Sequence, residues 1–187
     1  MNSNLISESY RNEQQKMHED PDYGTAAATY AETVSHIVNR MGVTHLLDYG
    51  CGHNTALAKS LKLDHKIKYQ AYDPGVPRFS KDPVPAQMVA CIDVLEHIEP
   101  ECLDNVLDHL VRLTEGVVFL SVCTAEAFKT LPDGRNAHLI VKPIEWWMDK
   151  LWSRFEIQTV QKTNEFCYFI LGEAKVRLEA QNGEALV

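Results

Sequence analysis

Leu46-Leu-Asp-Tyr-Gly-Cys-Gly-His-Asn54 is the stretch that decides the fold. Its first half completes a short apolar run, Thr44 to Tyr49, of the kind that forms a buried strand. Glycines at 50 and 52 break that run, and Thr55-Ala-Leu-Ala-Lys-Ser-Leu61 then takes on helical character. Two glycines between a strand and a helix let the backbone turn tightly and approach a ligand closely, where the first helical amides point at it. The full dinucleotide fingerprint has a third glycine, and Asn54-Thr55 stands in that region here, so a pyrophosphate pressed against the helix is not expected. Alone, the Gly-x-Gly reads equally well as a structural turn.

The alternation continues downstream. Lys68-Tyr-Gln-Ala-Tyr72 is a strand ending at Asp73-Pro74-Gly75, and prolines at 74, 77, 83 and 85 predict an irregular connection after it. Gln87 to Ile92 is the next strand. Glu101 to Thr114 is an amphipathic helix with Leu103, Val106, Leu107, Leu110 and Leu113 on one face. Gly116 to Val122 is a β-branched, buried-type strand. Pro143 opens a helix through Trp152, and Phe155–Val160 and Phe166–Leu171 follow as an antiparallel pair. Upstream, Ala26 to Met41 reads as a helix with one apolar face, closed by Gly42. Residues 1–24 are expected to be an arm or lid, loose or weakly helical and broken at Asp20-Pro21, with His18 and Tyr23 placed to fold over the site. Residues 25–172 make the domain, and 173–187 a charged, glycine-broken tail. This order predicts an α/β sandwich with a mostly parallel sheet, whose ligands sit beyond the carboxyl ends of the strands.

Composition sets the outer bounds. The chain has 187 residues, 18 basic and 26 acidic side chains and a formal net charge of −8, so it is a poor electrostatic match for sequence-independent binding along nucleic acid. Its 45% hydrophobic and 24% charged residues are ordinary globular values, enough for one real core. No uncharged apolar run approaches the ~20 residues of a membrane span, so no membrane partner is expected. The start, Met1-Asn-Ser-Asn-Leu-Ile-Ser-Glu, has neither a basic segment nor a long apolar one, and a cytoplasmic location is expected. The five cysteines include no Cys-x-x-Cys pair and read as reduced, buried small hydrophobes. Trp146, Trp147 and Trp152 read as core anchors.

The chemistry lies at the strand ends. Asp73, 21 residues after Gly52, can accept two hydrogen bonds from a ribose diol. An Asp-Pro turn is the competing reading, and the glycine loop beside it favours the nucleoside. Asp93, Glu96 and His97 are spaced i, i+3, i+4, so a helical turn opening at Asp93 would set all three on one face, a mixed set suited to a divalent metal. Leu131-Pro-Asp-Gly-Arg-Asn-Ala-His138 is a polar loop after a strand, and Arg135, Asn136 and His138 are its candidates for binding or deprotonating an acceptor.

Leu47-Asp-Tyr-Gly-Cys-Gly52, Asp73 and Cys91-Ile-Asp-Val-Leu-Glu-His-Ile98, in that order, resemble the motifs of class I S-adenosylmethionine-dependent methyltransferases over residues 25–172. The resemblance implies a Rossmann-like sandwich, mostly parallel, with one antiparallel strand near the C-terminus. It implies S-adenosylmethionine as cofactor. Asp48 and the backbone of Gly50, Cys51 and Gly52 would face the methionine moiety, Asp73 with Pro74 the ribose, and Ile92 and Asp93 the transferred methyl. Only 20 residues separate Asp73 from Asp93, so the usual intervening helix–strand pair is expected to be shortened or missing. The Asp-x-x-Glu-His pattern is similar to that of small-RNA 2′-O-methyltransferases and ubiquinone-pathway O-methyltransferases, where it binds a divalent ion. His138 followed by Glu145-Trp-Trp147 is similar to the small-RNA enzymes as well. That likeness implies Mg²⁺ or Mn²⁺ on Asp93, Glu96, His97 and His138, with His138 and His97 catalytic. Many metal-free relatives also carry Leu-Glu-His here, and that reading stays open.

The function implied is methyl transfer to a hydroxyl or amine of a small, polar, sugar- or nucleoside-like acceptor. Two alternatives stand beside it: a nucleic-acid methyltransferase acting on RNA or DNA, and a non-catalytic S-adenosylmethionine-binding regulatory or scaffold subunit.

Overall fold

The computed structural model describes residues 5–20, 22–62 and 66–174. Six strands form one sheet: β1 (His45–Tyr49), β2 (Lys68–Tyr72), β3 (Ala86–Ile92), β4 (Thr114–Cys123), β5 (Phe155–Lys162) and β6 (Phe166–Ala174). Their order is β2-β1-β3-β4-β6-β5. β1 lies parallel to both β2 and β3, with Asp48 opposite Ala71 and Leu46 opposite Met88. β6 is the one antiparallel strand, pairing with β4 through Leu120 and Phe169 and with β5 beyond it. This is the Rossmann-like arrangement expected.

Strand periodicity splits the core between two faces. Leu46, Met88 and Val117 face one side, where Val34, Ile37 and Val38 of α2 (Ala31–Met41) cover them. Leu47, Val89 and Val118 face the other, against Leu107 and Leu110 of α4 (Leu103–Leu113) and Trp147 and Leu151 of α5 (Ile144–Trp152). Residues 26–30 wind as a 3₁₀ turn before α2, and Gly42, at φ 63°, ends it in the left-handed conformation. The short α3 (Ala56–Ser60) follows the glycine loop. Between β2 and β3 the chain makes only a three-residue 3₁₀ turn, Pro77–Phe79, so the shortening read from the 20-residue spacing is present.

Two expectations need correction. The arm holds a regular helix, α1 (Glu8–Met17), capped by Ser7, whose hydroxyl accepts the Tyr10 amide at 3.1 Å. Its apolar residues are sparse, yet Tyr10 packs with Ile6 and Met17 against Leu131 and Ala137, and Gln14 is buried beside it. At the other end β6 runs to Ala174, two residues past the expected domain boundary, and the rest of the tail lies outside the described residues.

Of the three tryptophans, Trp147 is fully buried, whereas Trp152 is exposed. Trp147→Ala should lower unfolding free energy by about 3–5 kcal/mol in urea titrations, as expected for loss of a core aromatic. A loss below ~1 kcal/mol would show that this residue does not anchor α5.

Candidate active site

The carboxyl ends of β1, β2 and β3 are tied together by backbone. The Gly50 and Cys51 amides donate to the Tyr72 carbonyl at 2.8 and 3.1 Å. The Asp73 carboxylate accepts the Gly52 amide at 3.0 Å and the Gly75 amide at 2.8 Å. Gly50 has φ 79°, and a Cβ there would meet Val94 Cγ2 at 2.3 Å, so the loop after β1 can touch the loop after β3 only through glycine. Asp73 and His18 of the arm offset each other: burial pushes the carboxyl up and the imidazole down, and each moderates the other.

These loops wall a cavity of about 370 Å³, within the size range of small-molecule sites. Gly50, Gly52, Asp73 and Pro74 are in its lining, and so are Asp93, His97 and His138. Three residues expected at the cofactor are not among its lining: Asp48, Cys51 and Ile92 are buried behind the wall. Asp48 accepts the Tyr69 hydroxyl, and burial raises its carboxyl to about 7.

Asp93, His97 and His138 each offer a ligand atom within 4.8 Å of the others. Asp93 does not open a helical turn. It takes a left-handed φ of 58°, its amide donating to Ser121 O at 3.2 Å and Oγ at 3.1 Å, and a 3₁₀ turn begins only at Leu95. This shift swings Glu96 inward, away from the expected common face. Glu96 is fully buried; one carboxylate oxygen accepts the Cys123 amide and the other, Oε2, has no partner among the described residues. Burial, then the neighbouring Asp93 carboxylate, push its carboxyl well above the ordinary value. An unpartnered carboxylate oxygen beside a second carboxylate suits a proton or a cation.

Both histidines are held in one tautomer. His97 Nδ1 lies 2.9 Å from the Ala137 carbonyl and His138 Nδ1 2.7 Å from the Ala125 carbonyl. A carbonyl can only accept, so each Nδ1 carries a proton, and in the neutral ring Nε2 is then the atom with the lone pair a metal ligand or a base needs. The rings meet edge to face, 4.7 Å between centroids. Burial pulls His97 down to about 4, which keeps it neutral near pH 7.

Arg135 and Asn136, expected to bind acceptor, do other work. Arg135 pairs with Asp133 at 2.6 Å and with Glu13 of α1 at 3.2 Å. Asn136 bridges the Ala127 amide and carbonyl and accepts the His138 amide, which shapes the loop that delivers His138. Neither lines the cavity. Ser7, Tyr10 and Gln14 of the arm, and Glu99 opposite them, are residues the sequence reading did not single out; Tyr23 it did. Glu99 accepts both the Ser7 amide, at 2.7 Å, and its hydroxyl, at 2.6 Å. Tyr10, Gln14 and Tyr23 continue a hydrogen-bonded chain to the His97 carbonyl.

No family model and no curated protein sequence matches the chain. Solved structures do. An O-methyltransferase family protein from Burkholderia thailandensis superposes with a TM-score of 0.59 at 13% identity, over 91% of this chain and 63% of that one. The 1,6-didemethyltoxoflavin-N1-methyltransferase of Burkholderia thailandensis, with 1,6-didemethyltoxoflavin and S-adenosylhomocysteine bound, gives 0.59 at 15%, over 90% of each chain. A mitomycin 7-O-methyltransferase gives 0.63 at 12%, over 87% of this chain and 60% of that one. The chain thus spans about three-fifths of the length of some of these structures and nearly all of another. It has the fold of class I methyltransferases.

Replacing Glu96 by Gln keeps an acceptor for the Cys123 amide and removes the second carboxylate. A carboxyl raised in the folded state loses its stabilising contribution as pH climbs from the ordinary value near 4.5 through the raised one. Glu96→Gln should therefore exceed the parent in stability by about 1 kcal/mol or more at pH 8 with chelator present, the gap closing toward pH 4; a tenfold change in protonation equilibrium is worth ~1.4 kcal/mol. Urea unfolding at both pH values checks this, and a variant weaker at pH 8 would refute the carboxylate pair.

Proposed function

We propose that the chain is an S-adenosylmethionine-dependent methyltransferase acting on a hydroxyl or amine of a small polar acceptor, sugar- or nucleoside-like. One observation carries this reading. The carboxylate of Asp73, at the end of β2 and bonded to the Gly52 amide of the glycine loop, and a cluster of Asp93, His97 and His138 open into the same cavity. The first suits a ribose; the second suits an oxygen or nitrogen that must lose a proton. Two of the similar structures are an N1-methyltransferase and a 7-O-methyltransferase of small molecules, which supports both acceptor types.

S-adenosylmethionine, when bound, supplies an electrophilic methyl on a sulfonium. Gly50 and Gly52 give close backbone approach, and Asp73, already fixed by two amides, keeps lone pairs for the ribose diol. Asp93, His97 and His138 would hold Mg²⁺ or Mn²⁺, with Glu96 Oε2 behind Asp93, and the ion would supply Lewis acidity at the acceptor oxygen. In the metal-free version His138 Nε2 accepts the acceptor's proton. The arm acts as a lid on this space, through His18 and Tyr23.

The mouth bears on the acceptor. Phe128 is fully exposed and Phe166 is 41% exposed at the cavity rim, with Glu126 and Glu165 beside them. Apolar ring faces and two acids suit a neutral or cationic ring-bearing molecule. They oppose a phosphodiester, which weighs against the nucleic-acid reading. A regulatory subunit that only binds S-adenosylmethionine would have no use for two histidines poised with free Nε2 lone pairs.

Calorimetry should detect S-adenosylmethionine binding, weakened by roughly 1.5–3 kcal/mol in Asp73→Ala, the range for hydrogen bonds to a charged group. Absence of binding, or unchanged affinity in a folded Asp73→Ala, would sink the cofactor assignment. Paramagnetic resonance should show one Mn²⁺ site, lost in His138→Asn. If Mn²⁺ stays free with the parent protein, the metal leaves the mechanism and His138 remains as the base.

A further inference from the structure

Tyr23, from the arm, lines the cavity together with Asp73, Asp93 and His97. Its ring meets His97 edge-on, 6.1 Å between centroids, and His18 at 5.2 Å. The hydrogen bonds behind it have a fixed direction. The His97 carbonyl can only accept, so Tyr10 donates its hydroxyl there at 2.6 Å. The Tyr10 oxygen then accepts the Gln14 side-chain amide at 2.7 Å. That turns the Gln14 Oε1 toward Tyr23, whose hydroxyl donates to it at 3.1 Å. The single hydroxyl hydrogen of Tyr23 is thereby committed to Gln14. Its oxygen lone pairs are left as acceptors. Lys129, paired with Asp20, lies 5.7 Å from the centroid of the Tyr23 ring, so the oxygen rather than that ring face is what Tyr23 offers a cation.

We propose that Tyr23 is a catalytic residue of the methyl transfer, its hydroxyl oxygen receiving the sulfonium methyl and aligning it on the acceptor, with Gln14 and Tyr10 as positioning residues. This rests on the function proposed above. A methyl on positive sulfur has polarised C–H bonds, and such groups make weak hydrogen bonds to oxygen. In the transfer, an acceptor lone pair forms the new bond to carbon while the carbon–sulfur pair stays on sulfur. Neutral S-adenosylhomocysteine leaves, and the acceptor proton passes to the base. The contact with Tyr23 therefore exists with S-adenosylmethionine and is gone with S-adenosylhomocysteine, which has neither methyl nor charge.

That asymmetry supplies a test needing no knowledge of the acceptor. The full chain is titrated calorimetrically with S-adenosylmethionine and, separately, with S-adenosylhomocysteine, and folding of each variant is checked by circular dichroism melting. Tyr23→Phe should weaken S-adenosylmethionine about three- to fivefold, the size of a weak hydrogen bond, and leave S-adenosylhomocysteine unchanged. Gln14→Leu, which frees the Tyr23 hydroxyl to rotate, should give a selective loss of the same sign, and it serves as the test should Tyr23→Phe misfold. Equal weakening of both ligands would make Tyr23 a structural residue, and no change in either would remove it from the site; each overturns the proposal. If the parent chain binds neither ligand, the methyltransferase reading itself fails and this inference falls with it.

Discussion

The approach of Val94 to Gly50 is the contact on which the rest of the site depends. No side chain fits between them, since an added Cβ would sit 2.3 Å from Val94. The loops leaving β1 and β3 are therefore pinned together, and Asp93 is forced into a left-handed turn one residue before Val94. That turn gives Asp93 its place beside His97 and sends Glu96 into the interior, where the Cys123 amide at the end of β4 receives it. A single missing side chain thus couples three strand ends. Backbone strain of this sort persists where surrounding packing over-determines it, and here both neighbours are core strands.

Charge is the second organising feature. Asp73, Asp93 and Glu96 all face or back one small cavity, and burial raises both Asp73 and Glu96. The cationic side chains nearby are engaged elsewhere: Arg135 with Asp133 and Glu13, and Lys129 with Asp20. The site is left with more carboxyl groups than basic partners in a poorly solvated space. Such a site favours positively charged occupants, and both a sulfonium with its ammonium group and a divalent ion answer that description.

Much of this was legible in the sequence, for identifiable reasons. Strands such as Gln87–Ile92 and Gly116–Val122 announce themselves because parallel strands buried on both faces are near-continuous apolar or β-branched runs. The glycine loop and Asp73 were legible because their spacing is set by one strand–helix–strand unit. Helix α1 was not, because what holds it is long-range: Tyr10 on Leu131 and Ala137, and the polar contacts of Ser7 to Glu99 and Tyr10 to His97, 92 and 87 residues apart, which no local period records. Glu96 misled for a related reason: a spacing of i, i+3, i+4 places residues on one face only if the helix starts at i, and the left-handed Asp93 moves the start. Arg135 and Asn136 looked functional because they are polar on a strand-end loop, a pattern that loop-shaping residues share with ligand-binding ones.

The way the arm is fastened has a kinetic consequence. Glu99, the tyrosine–glutamine chain, two surface ion pairs and a small apolar cluster of Ile6, Tyr10 and Met17 on Leu131 and Ala137 hold it, apart from the two main cores of the sheet. Segments with few buried apolar contacts open as units of their own, well below the free energy of global unfolding. Opening of the arm would leave the sheet intact, and the dwell time of a molecule beneath it would then follow the lifetime of these few peripheral contacts, which leaves residence and affinity separately adjustable.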